Sequence, residues 1–389
     1  MSFRATFDNL TAEDLRATEA MKWSLPAPTI GAFVAEMDFG TSPAVQAALV
    51  AAVEKGCFGY TPDPLIREVQ DATAERLLRA HEWRVEPSDV HPVPDVITVF
   101  EQAMAQTSAG SPVVIPTPSY MNFFNAAATA GRRVVEVPMV LDEAGRHTWD
   151  LDALASAIRS SGAELVVLCN PHNPTGRAHT RAELEAFAQV MTDTGVRVFA
   201  DEIWAPLVHA GHRHIPYASV SEQAAEHSIT AISTSKGWNI PGLKCAQAVT
   251  TNDRDREQWR SMTPPLAHRT STIGQAATIA AYRDQSDWLP EVTAYLEENT
   301  ALVHDQVVET IPGARVTRPE ATYVSWIDLR DADAPDDPAA FLLERAGVAV
   351  TDGSQCGAVG QGCIRMTTAM PQPILREVLE RVTSALRTR

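Results

Sequence analysis

No apolar run in this sequence approaches the roughly 20 residues that a membrane-crossing helix needs. The Ala-rich stretch from Ala44 to Val53 is too short and reads as a packed helix. No Cys-x-x-Cys pair occurs. The five cysteines, Cys57, Cys169, Cys245, Cys356 and Cys363, are scattered and odd in number, which argues against a disulfide scaffold and reads as reduced thiols of a cytoplasmic protein. Basic clusters are also missing. The net charge is −17 with Lys and Arg dispersed, so nucleic acid is not an expected partner. The acidity serves solubility, and an anionic ligand must be held by a local site rather than by the overall field. The opening residues, Met1 to Asn9, lack an apolar core, so no secretory signal is expected. Internal repeats and low-complexity tracts are absent.

What is present is ordinary globular composition, 45% apolar and 21% charged, over 389 residues. That length exceeds one usual core and predicts two domains. Short β-branched runs alternate with helical stretches from about residue 110. Pro112–Pro116, Arg133–Val137, Glu164–Cys169, Val196–Ala200, Ile229–Ile232 and Leu243–Val249 read as strands. Helical patterns start near Ser119 and cover Asp150–Ser160 and Arg181–Thr194 between them. Uninterrupted apolar strands spaced by helices predict an α/β fold with a mostly parallel sheet covered on both faces. The last third changes texture: a helix over about Pro290–Glu309, a period-two strand at Thr322–Leu329, a loop from Asp331 to Pro338, then short strands at Val348–Val350 and Cys363–Met366. This reads as a smaller α+β domain over 286–389. The large domain covers 46–285, and residues 1–45 form an N-terminal segment packing with the small one.

Three stretches sit just after predicted strands: Asn170-Pro-His-Asn-Pro-Thr-Gly176, Asp201-Glu-Ile-Trp204, and Ser233-Thr-Ser-Lys236 running on to Lys244. In parallel sheets ligands bind at the carboxyl ends of the strands, so a carboxylate, a lysine and an amide-rich turn converge in one crevice. Each alone has a plainer reading. The first is a turn signal, an Asp after a strand is often a helix cap, and a lone Lys is usually solvated.

Together, in this order, they resemble the fold-type I pyridoxal-phosphate enzymes of aminotransferase class I/II, and the resemblance runs over essentially the whole chain. It implies pyridoxal 5′-phosphate as cofactor, carried by Lys236 as a Schiff base. It implies Asn173 at the cofactor's phenolic oxygen, Asp201 at the pyridine nitrogen, and Tyr120 stacked on the ring. The phosphate would be held by the backbone of Val96 and Ile97, by Ser233 and Lys244, and by Tyr60 from a neighbouring subunit, which implies a homodimer. Arg365, with Asn173, would bind the substrate α-carboxylate. Lys22-Trp23, Glu36-Met-Asp-Phe39, Phe58-Gly-Tyr-Thr61, Gly211-His-Arg-His-Ile-Pro216 and Asn239-Ile-Pro-Gly-Leu-Lys-Cys245 resemble the cystathionine β-lyase or C–S lyase branch. The implied reaction releases thiol, pyruvate and ammonia from cystathionine or a related L-cysteine S-conjugate.

Three positions depart from that pattern. Trp204 stands where His or Tyr is expected near the phenolic oxygen. Gly237-Trp238 replaces Thr-Phe after the lysine. Asp95 replaces Gly before the phosphate loop, adding a negative charge near an anion. These leave open an aminotransferase outcome or a specialised S-conjugate-processing enzyme with altered elimination or oxidative deamination, in which Trp204 and Trp238 reshape the pocket. A non-catalytic binding protein is the remaining alternative. Tyr120 also has a plain reading as a core aromatic, and Arg365 as a surface ion-pair partner. No metal site is expected: His209, His212 and His214 lack a Cys or carboxylate at tight spacing, and the Asp331–Asp337 run lacks the Gly and closing Glu of a calcium loop.

Overall fold

The structure is a computed structural model describing residues 3–387. Its centre is a seven-stranded sheet in the order Val90–Val93, Ala246–Thr250, Ser228–Ser233, Arg197–Asp201, Leu165–Cys169, Val113–Thr117, Val134–Pro138. The last five of these run parallel to one another. In four of them the side chains are buried on both faces over most of their length, which is why the sequence shows continuous apolar runs rather than alternation, while Val134–Pro138 at the edge buries only Val137. Helices such as Leu151–Ser161 and Arg181–Thr194 cover the sheet. Thr180 and Glu183 form a reciprocal cap at the start of the second, and Gly195 ends it in the left-handed conformation.

Two features differ from the sequence expectation. Ala246–Thr250 runs antiparallel to both neighbours. A parallel return needs a crossover of a dozen or more residues, usually a helix. The segment from Thr234 to Cys245 instead folds as tight turns around Lys236. Val90–Val93 is an additional strand, pairing antiparallel with Ala246–Thr250 at one edge. Its His-Pro interior breaks the β-branched pattern that marks the other strands.

A second, four-stranded antiparallel sheet has the order Arg315–Val316, Val324–Asp328, Cys363–Thr367, Thr351–Asp352. The long helix Trp288–Thr310 and the C-terminal helix Gln372–Arg387 pack beside it around a separate apolar cluster that includes Val303, Leu342, Ile364 and Leu375. The N-terminal chain belongs with this layer at its start: Ile30 and Gly31 pair in parallel with Val348 and Ala349. From there the chain crosses to the large sheet. Met37 is held at both its N–H and its C=O by the Asn239 side chain, at 2.8 Å each.

Buried charges pin this crossing. Lys22 is fully buried, 2.9 Å from Asp38 and 2.9 Å from the Ala369 carbonyl, and the Trp23 indole donates to the other Asp38 oxygen at 2.8 Å. Gly31 has no side chain because a Cβ there would lie 2.0 Å from the Lys22 carbonyl oxygen. A second buried pair joins the Asn-Pro turn to the smaller layer, with Arg177 bonding Glu320 at 2.9 Å and Glu183 at 2.8 Å. Gly176 takes a φ of +72°, and a Cβ there would strike Pro319.

A buried ion pair that loses one member leaves an uncompensated charge, which costs about 3–5 kcal/mol. Lys22→Met is therefore expected to lower the unfolding free energy by about 3 kcal/mol or more, read from urea unfolding. A change within about 0.5 kcal/mol, the range of neutral surface substitutions, would show that the pair does not anchor the crossing.

Candidate active site

The carboxyl ends of the parallel strands open into a cavity of ≈ 530 Å³. Leu165–Cys169 leads into the Asn170–Gly176 turn, Arg197–Asp201 ends on Asp201, and Ser228–Ser233 leads to Lys236. Cys363–Thr367 of the smaller sheet supplies Arg365 from the facing side. Val96, Ile97, Tyr120, Asn173, Asp201, Trp204, Ser233, Lys236, Lys244 and Arg365 all line this one cavity. Tyr60 does not. It is 90% exposed, away from the cavity of its own chain.

Lys236 is a buried amine of this cavity. Burial foremost, with Arg365 adding to it, lowers its amine from the usual lysine range to about 8; Glu36 and Asp201 oppose that shift. Its Nζ donates to the Ala35 carbonyl at 2.9 Å, and the Tyr323 hydroxyl donates to that same oxygen at 2.9 Å. The Trp204 ring centroid lies 5.6 Å from Nζ, within range of a cation–π contact, and the indole stands edge-on against Tyr323. So Trp204 bears directly on the lysine. Trp238 does not. It is buried beneath the Arg76 guanidinium and edge-on to Tyr282, and of the two tryptophans only Trp204 lines the cavity. The turn after Lys236 sends successive side chains in different directions, and Gly237 at its first step abuts Pro206.

Asp201 is buried, and desolvation raises its carboxyl to about 7 despite a 3.0 Å hydrogen bond from the Ile203 N–H and the pull of Lys236. A buried carboxylate with so few donors is costly unless a cation faces it. Arg365 is buried and donates to the Phe33 carbonyl at 2.8 Å, to Asn173 Oδ1 at 3.2 Å and to Thr351 Oγ1 at 3.3 Å. Its Nε is buried without a partner, a donor pointing to an anionic ligand. The bond from Arg365 fixes the Asn173 carbonyl oxygen, leaving the amide nitrogen to donate elsewhere.

The other end of the cavity suits a phosphate. The helix Val96–Ala105 begins there, with the amides of Val96 and Ile97 in its first turn. Asp95 is explained by this helix: it caps it by accepting from Thr98 N–H at 2.9 Å, and it also pairs with Lys244 at 3.1 Å. Its charge is thus spent on the helix end and on the lysine rather than left facing an anion. Ser233 is committed as well. Its hydroxyl donates to the Cys245 carbonyl at 2.8 Å and accepts from Ser235 N–H, so it braces the lysine turn, while Ser235 also lines the cavity.

Sequence reasoning did not find Phe33, Ala35 or Tyr323. The first two act through backbone carbonyls, which carry no residue signature, and Tyr323 lies inside a strand pattern that reads as core. A larger cavity of ≈ 900 Å³ lies elsewhere, but its main charges are matched among themselves, Arg146 with Glu320 and Arg315 and Arg330 with Asp328. Lys236 does not line it. The histidine cluster is occupied structurally: His209 bonds the Pro319 and Thr322 carbonyls, and His214 bonds Glu202.

Pyridoxal phosphate fits these groups. A ring nitrogen would meet Asp201, a phenolic oxygen Asn173, a phosphate the helix start with Lys244, and the aldehyde carbon Lys236. Fold and cavity together define an α/β protein whose cavity holds a desolvated lysine and the start of a helix. The chain belongs to the aminotransferase class I and II family, whose family model matches residues 33–382. It is 36% identical to a Mycobacterium leprae protein provisionally named cystathionine beta-lyase, over 97% of this chain and 98% of that one. It is 31% identical to the cystathionine beta-lyase of Corynebacterium glutamicum, over 96% and 98%. A crystal structure from Corynebacterium diphtheriae, provisionally titled a PLP-dependent beta-cystathionase, superposes with a TM-score of 0.91 at 35% identity, over 98% of this chain and 99% of that one.

With the Lys236 amine near 8, its neutral, nucleophilic fraction should rise about tenfold per pH unit below that value and level off above it. The rate at which cofactor-free protein takes up pyridoxal phosphate, followed by its visible band, is expected to follow that curve. A rise continuing unchanged to pH 10 would contradict the desolvated state of the amine.

Proposed function

We propose that this protein is a pyridoxal-phosphate-dependent C–S β-lyase that cleaves cystathionine or a related L-cysteine S-conjugate to thiol, pyruvate and ammonia. The observation that carries the reading is the convergence of a desolvated lysine, a buried carboxylate and a buried arginine in one cavity, Lys236, Asp201 and Arg365. The names of the relatives agree with it.

Bound pyridoxal phosphate supplies an electron sink that acidifies the Cα proton of an attached amino acid. The chain's residues do the rest. Asp201, facing the ring nitrogen as an anion, keeps that nitrogen protonated. Arg365 clamps the α-carboxylate through its unpartnered Nε and a neighbouring N–H, which sets the Cα–H bond at the angle where it breaks most easily. Lys236 Nζ, with its pKa brought toward neutrality, takes the Cα proton. The Ala35 carbonyl and the Trp204 ring then stabilise the resulting ammonium, since both attract a cation. Expulsion of the thiolate from Cβ leaves an unsaturated amine, and water converts it to pyruvate and ammonia.

Residues 46–285 are proposed as the cofactor-binding domain and 286–389 as the small domain, with 1–45 packing on the latter. We further propose a cytoplasmic homodimer. Among the described residues no helix is long and apolar enough to cross a membrane. Tyr60, Phe58, Val50 and Val53 are exposed around the segment that would deliver Tyr60 to a neighbouring cofactor phosphate. Sedimentation at the mass of two chains is expected, and a monomer at micromolar concentration would refute the dimer.

The direct test is pyruvate release from L-cystathionine by the cofactor-loaded protein. Replacing a general base lowers rates by about 10²–10⁴-fold, so Lys236→Ala should cut pyruvate formation by at least about a hundredfold. Transfer of the amino group to an added 2-oxo acid with no pyruvate would favour the aminotransferase reading instead.

A further inference from the structure

Two groups hold the Lys236 amine, and one side chain supports both. The amine donates to the Ala35 carbonyl at 2.9 Å and lies 5.6 Å from the Trp204 ring centroid. The Tyr323 hydroxyl donates to the same Ala35 oxygen at 2.9 Å. The Tyr323 ring meets the Trp204 indole edge-on, with centroids 4.7 Å apart at an angle of 74°. Ala35, Trp204 and Tyr323 are all buried within this one chain.

The backbone around Tyr323 is fixed in a strained form. Thr322 takes a φ of +73°, a left-handed conformation that a β-branched residue rarely adopts. Such strain persists only where the surroundings over-determine it, and it gathers at functional sites. The Thr322 N–H donates to the Leu207 carbonyl at 2.8 Å. The Tyr323 carbonyl accepts from the Thr368 N–H at 2.8 Å and from the Thr368 hydroxyl at 3.1 Å. The ring and hydroxyl of Tyr323 therefore have little freedom to leave their partners.

A carbonyl oxygen has two lone pairs, and two donors occupy those of Ala35. Both donors point a positive hydrogen at one oxygen. An ammonium is held less tightly by a shared carbonyl than by one of its own, while a neutral amine loses little. Burial pushes the Tyr323 phenol above its ordinary range, so the hydroxyl stays a donor. Arg365, Lys244, Glu36 and Asp201 act on Lys236 by charge, and Glu36 and Arg365 act on Tyr323 as well. The hydroxyl is neutral, so its influence on the amine adds to theirs without altering them.

We propose that Tyr323 is a positioning residue for Lys236: its hydroxyl shares the Ala35 carbonyl and so weakens the hold on the protonated amine, while its ring keeps the Trp204 indole against that amine. The free amine is the form of Lys236 before it joins the cofactor and whenever a substrate has taken its place there. The proposal rests on Lys236 as the lysine that joins pyridoxal phosphate, and it is independent of the sulfur substrate.

Tyr323→Phe removes the hydroxyl and keeps the ring, so the contact with Trp204 and the packing stay in place. Two pH titrations on cofactor-free protein make the test. One follows the rate of pyridoxal phosphate uptake by its visible band. The other follows acetylation of Lys236 by acetic anhydride, read from the mass of its peptide. A neutral hydrogen bond corresponds to a shift of about half a pKa unit to one unit. The midpoint of the variant is expected to move up by that amount in both titrations, which lowers the rates at pH 7 about three- to tenfold. The plateau at high pH is expected to stay where it is in the unaltered protein. A midpoint that stays put or moves down would overturn the proposal, and a lowered plateau with an unmoved midpoint would assign Tyr323 a structural role only. Pyridoxal phosphate joined to another residue of the unaltered protein would bring down the reading of Lys236 and the proposal with it. The acetylation titration needs no cofactor, so it tells these two failures apart.

Discussion

One backbone segment holds both cations on which the site depends. Residues 30–37 leave the edge of the smaller layer beside Val348 and Ala349 and reach Asn239 of the larger one. On the way the Phe33 carbonyl takes the Arg365 guanidinium and the Ala35 carbonyl takes the Lys236 amine. A carbonyl is a fixed dipole that neither titrates nor rotates away. It can hold a buried cation at low desolvation cost without neutralising it, as a carboxylate would. Lys236 and Arg365 are therefore set against each other by a single stretch of chain. The buried Lys22–Asp38 pair and the Asn239 amide keep that stretch in place.

Charge is distributed sparingly through the rest of the site. The protein is strongly acidic overall, yet the cavity brings together three cations and two carboxylates within its lining. Asp95 shows how an apparent liability is absorbed. A carboxylate at a helix start would repel an anion if it faced it, but as the helix cap it satisfies a first-turn amide and pairs with Lys244. Trp204 shows the opposite economy of means. Where a phenol or imidazole is expected, an indole presents a face to the amine and attracts its charged form without being able to exchange a proton.

The strands of the parallel sheet were legible because burial on both faces writes itself as continuous β-branched runs. Leu165–Cys169 and Arg197–Asp201 fall within a residue of their expected bounds, and the helix Arg181–Thr194 matches at both ends because its capping pattern is local. The direction of Ala246–Thr250 was not legible, since an apolar run looks the same in either sense and only the compactness of the preceding turn decides it. Val90–Val93 was missed because its edge position tolerates His and Pro. Trp238 was misplaced because adjacency to Lys236 in sequence does not survive a tight turn.

By itself, then, the sequence determined the order of strands and motifs and marked Lys236, Asp201, Asn173, Lys244 and Arg365 as candidates, because chemistry-bearing side chains at strand ends are local signals. Only the tertiary structure decided what those groups face. The Ala35 and Phe33 carbonyls and the packing of Trp238 against Arg76 and Tyr282 outside the cavity join residues far apart in the chain or turn on backbone atoms common to every residue. Such contacts follow from how the two sheets and the crossing segment pack, and a linear pattern carries no record of them.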